Sequence, residues 1–301
     1  MLSSFGNRDT TLLLIDADRS DVTVMIESFQ KVAAGPRSLA LTAVQDLGIG
    51  LMKSDLWGRL GWLEVKRRYH RTLLGPFWTS ISLAMYVVAV GLVGSGLWHQ
   101  EIREYLPFLI SGMVAWLLVS TIISESCTLF VSGHALLRNV AFEYSILVYA
   151  LVWRNLIIFL HNLVIYALIV GLLRPSLIGP TMLLAAPGLM LIVANALWIS
   201  LLCGMFCLRY RDVTQLVTSI IQISMLITPI FWPPESLEGI YRLIFVELNP
   251  LYHLVEVVRA PFLDKVPSLT SYAVVLLITA CGWILTYRVF SNFRKRISYW
   301  S

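Results

Sequence analysis

Long apolar runs, interrupted by short polar stretches, dominate the chain after residue 76. They fall at 77–98, 105–124, 151–173, 182–208, 214–232 and 269–287, and only Arg154 places a charge inside them. A helix needs roughly 20 apolar residues to cross the hydrocarbon core of a bilayer. Backbone amides in lipid must be bonded within the segment, and these runs are too uniformly apolar for the alternating strands of a barrel. The pattern therefore predicts an all-α integral membrane protein with six transmembrane helices. Before the first run the pattern differs: RLGWLEVKRRYHRTLLGPFW, residues 59–78, is basic and amphipathic until it breaks at Gly75-Pro76. This predicts a cytoplasmic interface helix lying along the membrane surface. Between the fifth and sixth runs, Leu237, Ile240, Leu243 and Ile244 recur at helical spacing before Asn249-Pro250, and Leu251, Leu254, Val255 and Val258 recur after it. Two short external helices, re-entrant or gate-like, fit between the prolines.

Loop charge orients the spans. Lys66, Arg67, Arg68 and Arg71 precede the first run, and Arg288, Arg294, Lys295 and Arg296 follow the last, whereas residues 233–268 hold five acids against three cations. The excess of Lys and Arg belongs on the cytoplasmic side, so both termini are expected there. Composition agrees, with 57% hydrophobic and 14% charged residues and a mean hydropathy of +0.75. The net charge of +5 is explained by cations beside apolar runs, where lipid head groups and topology account for them, and not by nucleic acid. Cys127, Cys203, Cys207 and Cys281 show no paired metal-ligand spacing and read as free, buried thiols. TLLLI, residues 11–15, is too short for a cleavable signal and meets Asp16 and Asp18 at once. The expected organisation is a cytoplasmic extension at 1–51, open to disorder; an interface helix and entrance loop at 52–76; the six-span region at 77–290; and a basic tail at 291–301. A sequence beginning at Met52 would keep every feature used here.

The polar residues narrow the chemistry. The runs hold no Asp or Glu, although ion-coupled carriers need organised polar groups at mid-membrane to hold the coupling ion. No G-x-x-x-x-G-K-[ST] loop is present either, so this chain supplies no conventional ATPase. A separate nucleotide-binding partner follows, with ATP and Mg on that subunit and no cofactor, metal or catalytic residue in this chain. Asp16-Ala17-Asp18 has the spacing of a metal-bound nucleotide-sugar site, but its short tail favours a solvated acidic patch. His161 and Asn162 can bond to neighbouring helices or meet a polar substrate; Arg154 is expected to snorkel to the surface. Gly91, Gly94, Ser95 and Gly96 allow close backbone packing, within the bundle or at a dimer interface. Tyr86, Trp116, Phe159 and Trp198 lie near mid-span, where rings face lipid or packed helices or line a path for sugars.

Four ordered motifs, KRRYHRTLLGPFW at 66–78, RYRDV at 209–213, NPLYHLVEVVR at 249–259 and FRKRISYW at 293–300, resemble the membrane subunit of type-2 ABC exporters for polysaccharides, the O-antigen type most of all. The resemblance implies a homodimer joined to two copies of a cytoplasmic ATPase in the bacterial inner membrane, exporting a lipid-linked polysaccharide. It implies that Arg71, Leu74, Gly75, Pro76 and Trp78 form the substrate entrance. ATPase coupling would fall to Lys66, Arg67, Arg68, His134, Arg138, Asn139 and Phe142, with a coupling helix within 132–142. An external gate would contain Asn249, Pro250, Glu256 and Arg259, and Tyr86, Trp116, Phe159 and Trp198 would be channel-lining candidates. Two alternatives share parts of the pattern: a type-2 ABC permease for capsule, teichoic acid, a drug or a lipid, and a membrane-embedded sugar-modifying enzyme.

Overall fold

The computed structural model describes residues 43–70, 75, 77–133, 143–294 and 297. The expectations for Asp16-Ala17-Asp18, Arg71, Leu74, Pro76, His134, Arg138, Asn139 and Phe142 lie outside the described residues, as does most of the tail.

Among the described residues the chain is helical, without strands. Two helices precede the apolar runs: α1, Ala43–Met52, and α2, Ser54–Tyr69. Then come α3, Phe77–Leu97, α4, Ile102–Ser126, and the single turn α5, Leu129–Ser132. Helix α6, Ser145–Leu173, is followed by two 3₁₀ turns and α7, Ala185–Arg209. Beyond it lie α8, Val213–Ile227, the turn α9, Gly239–Arg242, then α10, Pro250–Phe262, and α11, Leu269–Phe293. Among the described residues five helices are long and apolar enough to cross a membrane: Phe77–Leu97, Ile102–Ser126, Tyr144–Leu173, Pro180–Arg209 and Leu269–Phe293.

The sixth expected span is different. Helix α8 has 15 residues, about 22 Å at ~1.5 Å per residue, against a hydrocarbon core of roughly 30 Å. It stops because Thr228 precedes a proline, which disfavours the helical region; Thr228 is extended at φ −77°, ψ 136°. Thr228, Pro229 and Ile230 then run as buried, non-helical chain. Side chains from elsewhere bond this break, among them Tyr105, whose hydroxyl donates to the Phe231 carbonyl, and Asn249, whose Nδ2 donates to Thr228 Oγ1 at 3.1 Å.

Helix α4 forms the core of the bundle, with 16 of its 25 residues buried; it packs on α3, α6, α7, α8 and α10. Its apolar surface is continuous, as expected of a helix surrounded by others. On α3, Gly91 and Gly94 lie against Leu106 and Tyr105 of α4, too close for a Cβ at either position, while Gly96 faces open space. That close approach lies within one chain. The second of the two helices expected between the fifth and sixth runs is fully formed as α10, whose Asn249 cap accepts from the amides of Leu251 and Tyr252 at 3.0 and 3.3 Å. Pro250 occupies its first turn, where the missing N–H costs nothing. Of the first of those two helices, one α-turn and a π-turn at Leu243–Glu247 form. The thiols are free, but Cys281 is exposed and Cys203 half-buried; Cys127 and Cys207 alone are buried.

Helix α1 lies within the stretch assigned to the N-terminal extension. It packs on α6 and α11, and Asp46 is fully buried.

Candidate functional site

Two openings share one wall at the basic end, where α2 lies against the first half of α6. Helix α2 runs SDLWGRLGWLEVKRRY, and Leu60, Gly61 and Val65 form its buried face. Lys66, Arg67 and Arg68 are exposed on its last turn. Cations there suit the negative pole of the helix.

Glu64 and Arg68, one turn apart on α2, reach a buried-edge ion network. Arg154 of α6 donates through NH1 to Glu64 and through NH2 to Glu125 Oε2 at 2.6 Å. Asn155 Nδ2 donates to the same oxygen at 2.8 Å, and Arg68 NH2 pairs with Oε1. Glu125 is the end of α4, so three helices meet through one carboxylate. Burial acts to lower the Arg68 pKa, but the Glu125 charge and hydrogen bond outweigh it and hold the guanidinium above its ordinary value. Arg154, expected to snorkel, is thus a crosslink. Below the network is a cavity of about 620 Å³ bounded by Arg67, Thr128, Ser132 and Leu147.

Above the network a groove of about 530 Å³ opens between α3, α4, α6 and α8. Arg68 stands at one end. Trp78, Ser82 and Tyr86 of α3, Phe159 and Asn162 of α6, Thr121 of α4 and Met225 of α8 line it. Its wall combines aromatic faces with scattered hydroxyl and amide groups, chemistry suited to weak contact with sugars. Ser80 donates to Asn162 Oδ1 at 3.0 Å, a buried bond that fixes α3 on α6. His161 instead sits edge-on to Phe77 at 5.3 Å and contacts the Ile157 carbonyl.

The groove brings together Trp78, Tyr86, Phe159 and Arg68 of the sequence candidates. Trp116 is in the α4 core at 2% exposure. Trp198 fills the seam between α7 and α11 against Gly282, with Nε1 donating to Asn195 Oδ1 at 2.9 Å. Gly75 stands in the left-handed region at φ 56° with open space around it. At the other end of the bundle, Arg259 is buried at 2% exposure. Its Nε and NH2 donate to Glu256 Oε2 at 2.8 and 2.5 Å, and its NH1 donates to the Pro229 carbonyl at 2.5 Å. The guanidinium also lies 4.9 Å from the Phe108 ring centre. Asn249, Glu256 and Arg259 therefore converge on the break after α8, while Pro250 is exposed at the start of α10.

Sequence reasoning missed Glu64, Glu125 and Asp46. Glu64 lies four residues before Arg68, a spacing that marks one face of a helix; no local pattern signals the other two.

Residues 55–263 match the family described as ABC-2 type transporter. The chain belongs to that family. Two O-antigen export system permease proteins, both called RfbA, are similar to this ABC-2 chain. The one from Myxococcus xanthus is 22% identical over 236 residues, 77% of this chain and 89% of the relative. The one from Klebsiella pneumoniae is 23% identical over 235 residues, 77% and 88% respectively. ABC-2 chains are the membrane-embedded permease subunits of transporters, and membership implies an ABC ATPase as partner. The ABC-2 match spans α2 to the end of α10, and so contains the ion network, the groove and the Arg259 cluster.

Proposed function

We propose that this chain is the channel-forming subunit of an ATP-driven exporter of lipid-linked, O-antigen-like polysaccharide in the bacterial inner membrane. On this reading two copies assemble with two ATPase subunits that carry ATP and Mg²⁺, and both termini face the cytoplasm. The observation that carries it is the groove joining Arg68 to Trp78, Tyr86 and Phe159. A cation at the mouth suits the phosphate of a lipid-linked glycan, and aromatic faces beyond it suit sugar rings passing in series. The names of the two similar permeases support the same substrate class. ATP binding would draw the ATPase subunits together and press on α2 and on residues 132–142. The Arg154 network would pass that movement to α4 and α6. The Arg259 cluster, near the outer end, would hold the exit.

The test is to co-purify the ATPase partner and measure its hydrolysis with lipid-linked glycan and, separately, with apolar drugs or phospholipid. Stimulation by glycan, reduced when Tyr86 and Phe159 are both changed to Ala, is the expected result. Stimulation by drugs or phospholipid but not by glycan would assign the permease another substrate class. Sugar transfer by the purified chain without any ATPase would point to an enzyme instead.

A further inference from the structure

The first described helix and the end of α11 meet at one buried carboxylate. Asp46 of α1, fully buried, accepts from Arg294 Nε at 2.8 Å and pairs with Arg294 NH2 at 2.6 Å. Arg294 follows the last residue of α11 and is itself 3% exposed. The same carboxylate accepts the amide of Ser145 at 3.0 Å and that of Tyr144 at 3.3 Å. These amides stand at the start of α6, where an anion is favoured by both hydrogen bonding and the helix dipole. The Ser145 hydroxyl returns a bond to the Asp46 carbonyl at 2.7 Å, and the Tyr149 hydroxyl reaches the Leu47 carbonyl at 3.0 Å. Just after α1, Lys53 pairs with Glu143 at 2.8 Å. The Arg294 guanidinium lies 5.3 Å from the Tyr144 ring centre.

Both Asp46 and Arg294 lie outside the 55–263 stretch that matches the ABC-2 family, so membership assigns them nothing. Their position matters because Glu143 and Tyr144 directly follow residues 132–142, the stretch on which the ATPase presses in the proposed function. A displacement there enters the bundle through the first turn of α6. A loosely held turn would tilt and absorb it. A turn fixed to α1 and to the end of α11 passes it on to the whole end of the bundle.

We infer that Asp46 and Arg294 are positioning residues of energy coupling. They bind α1, the start of α6 and the end of α11 into one unit, so that movement of residues 132–142 reaches α6 and α11 together. The inference rests on the reading of the chain as an ATP-driven permease. Charge alone does not make the clasp, since Asp46 also serves two amides; exchanging the two residues therefore should not restore it.

The experiment uses the complex of full-length chain and ATPase partner in vesicles containing lipid-linked glycan. Asp46→Asn and Arg294→Gln each remove the ion pair, and Arg294→Lys retains a cation. Assembly, ATP hydrolysis, export and amide exchange over residues 143–149 are measured together. The two neutral variants should assemble normally and hydrolyse ATP at about the wild-type rate while exporting about tenfold less glycan per ATP. The lysine variant should recover much of the loss. Unchanged export per ATP in both neutral variants overturns the inference, and so does loss of the assembled complex in both, which would make the clasp purely structural. If the wild-type complex hydrolyses ATP without exporting glycan, the proposed function fails, and exchange decides the clasp separately. An ATP-dependent change at 143–149 in wild type that both neutral variants lack upholds it; the same change in every chain overturns it.

Discussion

Arginine organises both ends of the bundle, in different ways. At the basic end, Arg154 and Arg68 join side chain to side chain: two carboxylates on separate helices, Glu64 and Glu125, with 14–44% of the participating side chains exposed. At the other end, Arg259 is buried and bonds to a backbone carbonyl freed by the Thr228-Pro229 break, with Glu256 on its own helix as counter-ion. The first arrangement can exchange partners as helices slide, because each carboxylate faces water as well as a guanidinium. The second cannot move without leaving a charge and a carbonyl unpaired in the interior. The Arg68–Arg154 network is suited to receiving movement, and the Arg259 cluster to holding shape.

Four substitutions test that contrast. Arg259→Gln should have the largest effect, because breaking a buried pair costs about 3–5 kcal/mol; thermal unfolding in detergent should show it at low and high salt alike. Arg154→Gln should cost about 1–3 kcal/mol, since Glu125 keeps Arg68 and Asn155 while Glu64 loses the Arg154 pair. Here the diagnostic loss is coupling: ATP hydrolysis should persist while export falls. Gly75→Leu places a branched side chain at a positive φ, costing about 1–2 kcal/mol. Polymer export should be abolished with the complex still recovered; normal export would remove the entrance role. Arg68→Gln should be the mildest, under about 1 kcal/mol for an exposed pair, and its effect should shrink as salt rises. If Arg68→Gln proved as damaging as Arg259→Gln and as indifferent to salt, the contrast between the ends would collapse.

The apolar runs showed where helices would form because lipid imposes one rule on every residue in them. They did not show where α8 would stop. The signal was present, a threonine before a proline in ITPIF, but it lay inside an apolar run that otherwise reads as a span. The aromatic candidates illustrate another limit. Tyr86 and Phe159 reach the groove while Trp116 and Trp198 are packed elsewhere, yet all four stand at mid-span. On a helix apolar on all sides, as α4 is, no periodicity tells which face meets a neighbour. Asp46 falls in the stretch that the sequence marks only as a cytoplasmic extension. Its role depends on Arg294, 248 residues away, a pairing that only the folded chain creates.

The break after α8 has an electrical consequence. The peptide dipoles of a helix sum to about half a negative elementary charge at its carboxyl end, and for α8 that pole lies beside Thr228 and Pro229. Arg259 brings a full positive charge to the Pro229 carbonyl, and Glu256 returns a negative one. Arg259 and Glu256 offset each other, so the half charge of the helix end is what remains. The break is therefore mildly negative, whereas Lys66, Arg67 and Arg68 lie exposed at the opposite end. On the proposed reading an acidic sugar would be attracted at the basic end and mildly repelled at the break, and a neutral one would feel neither.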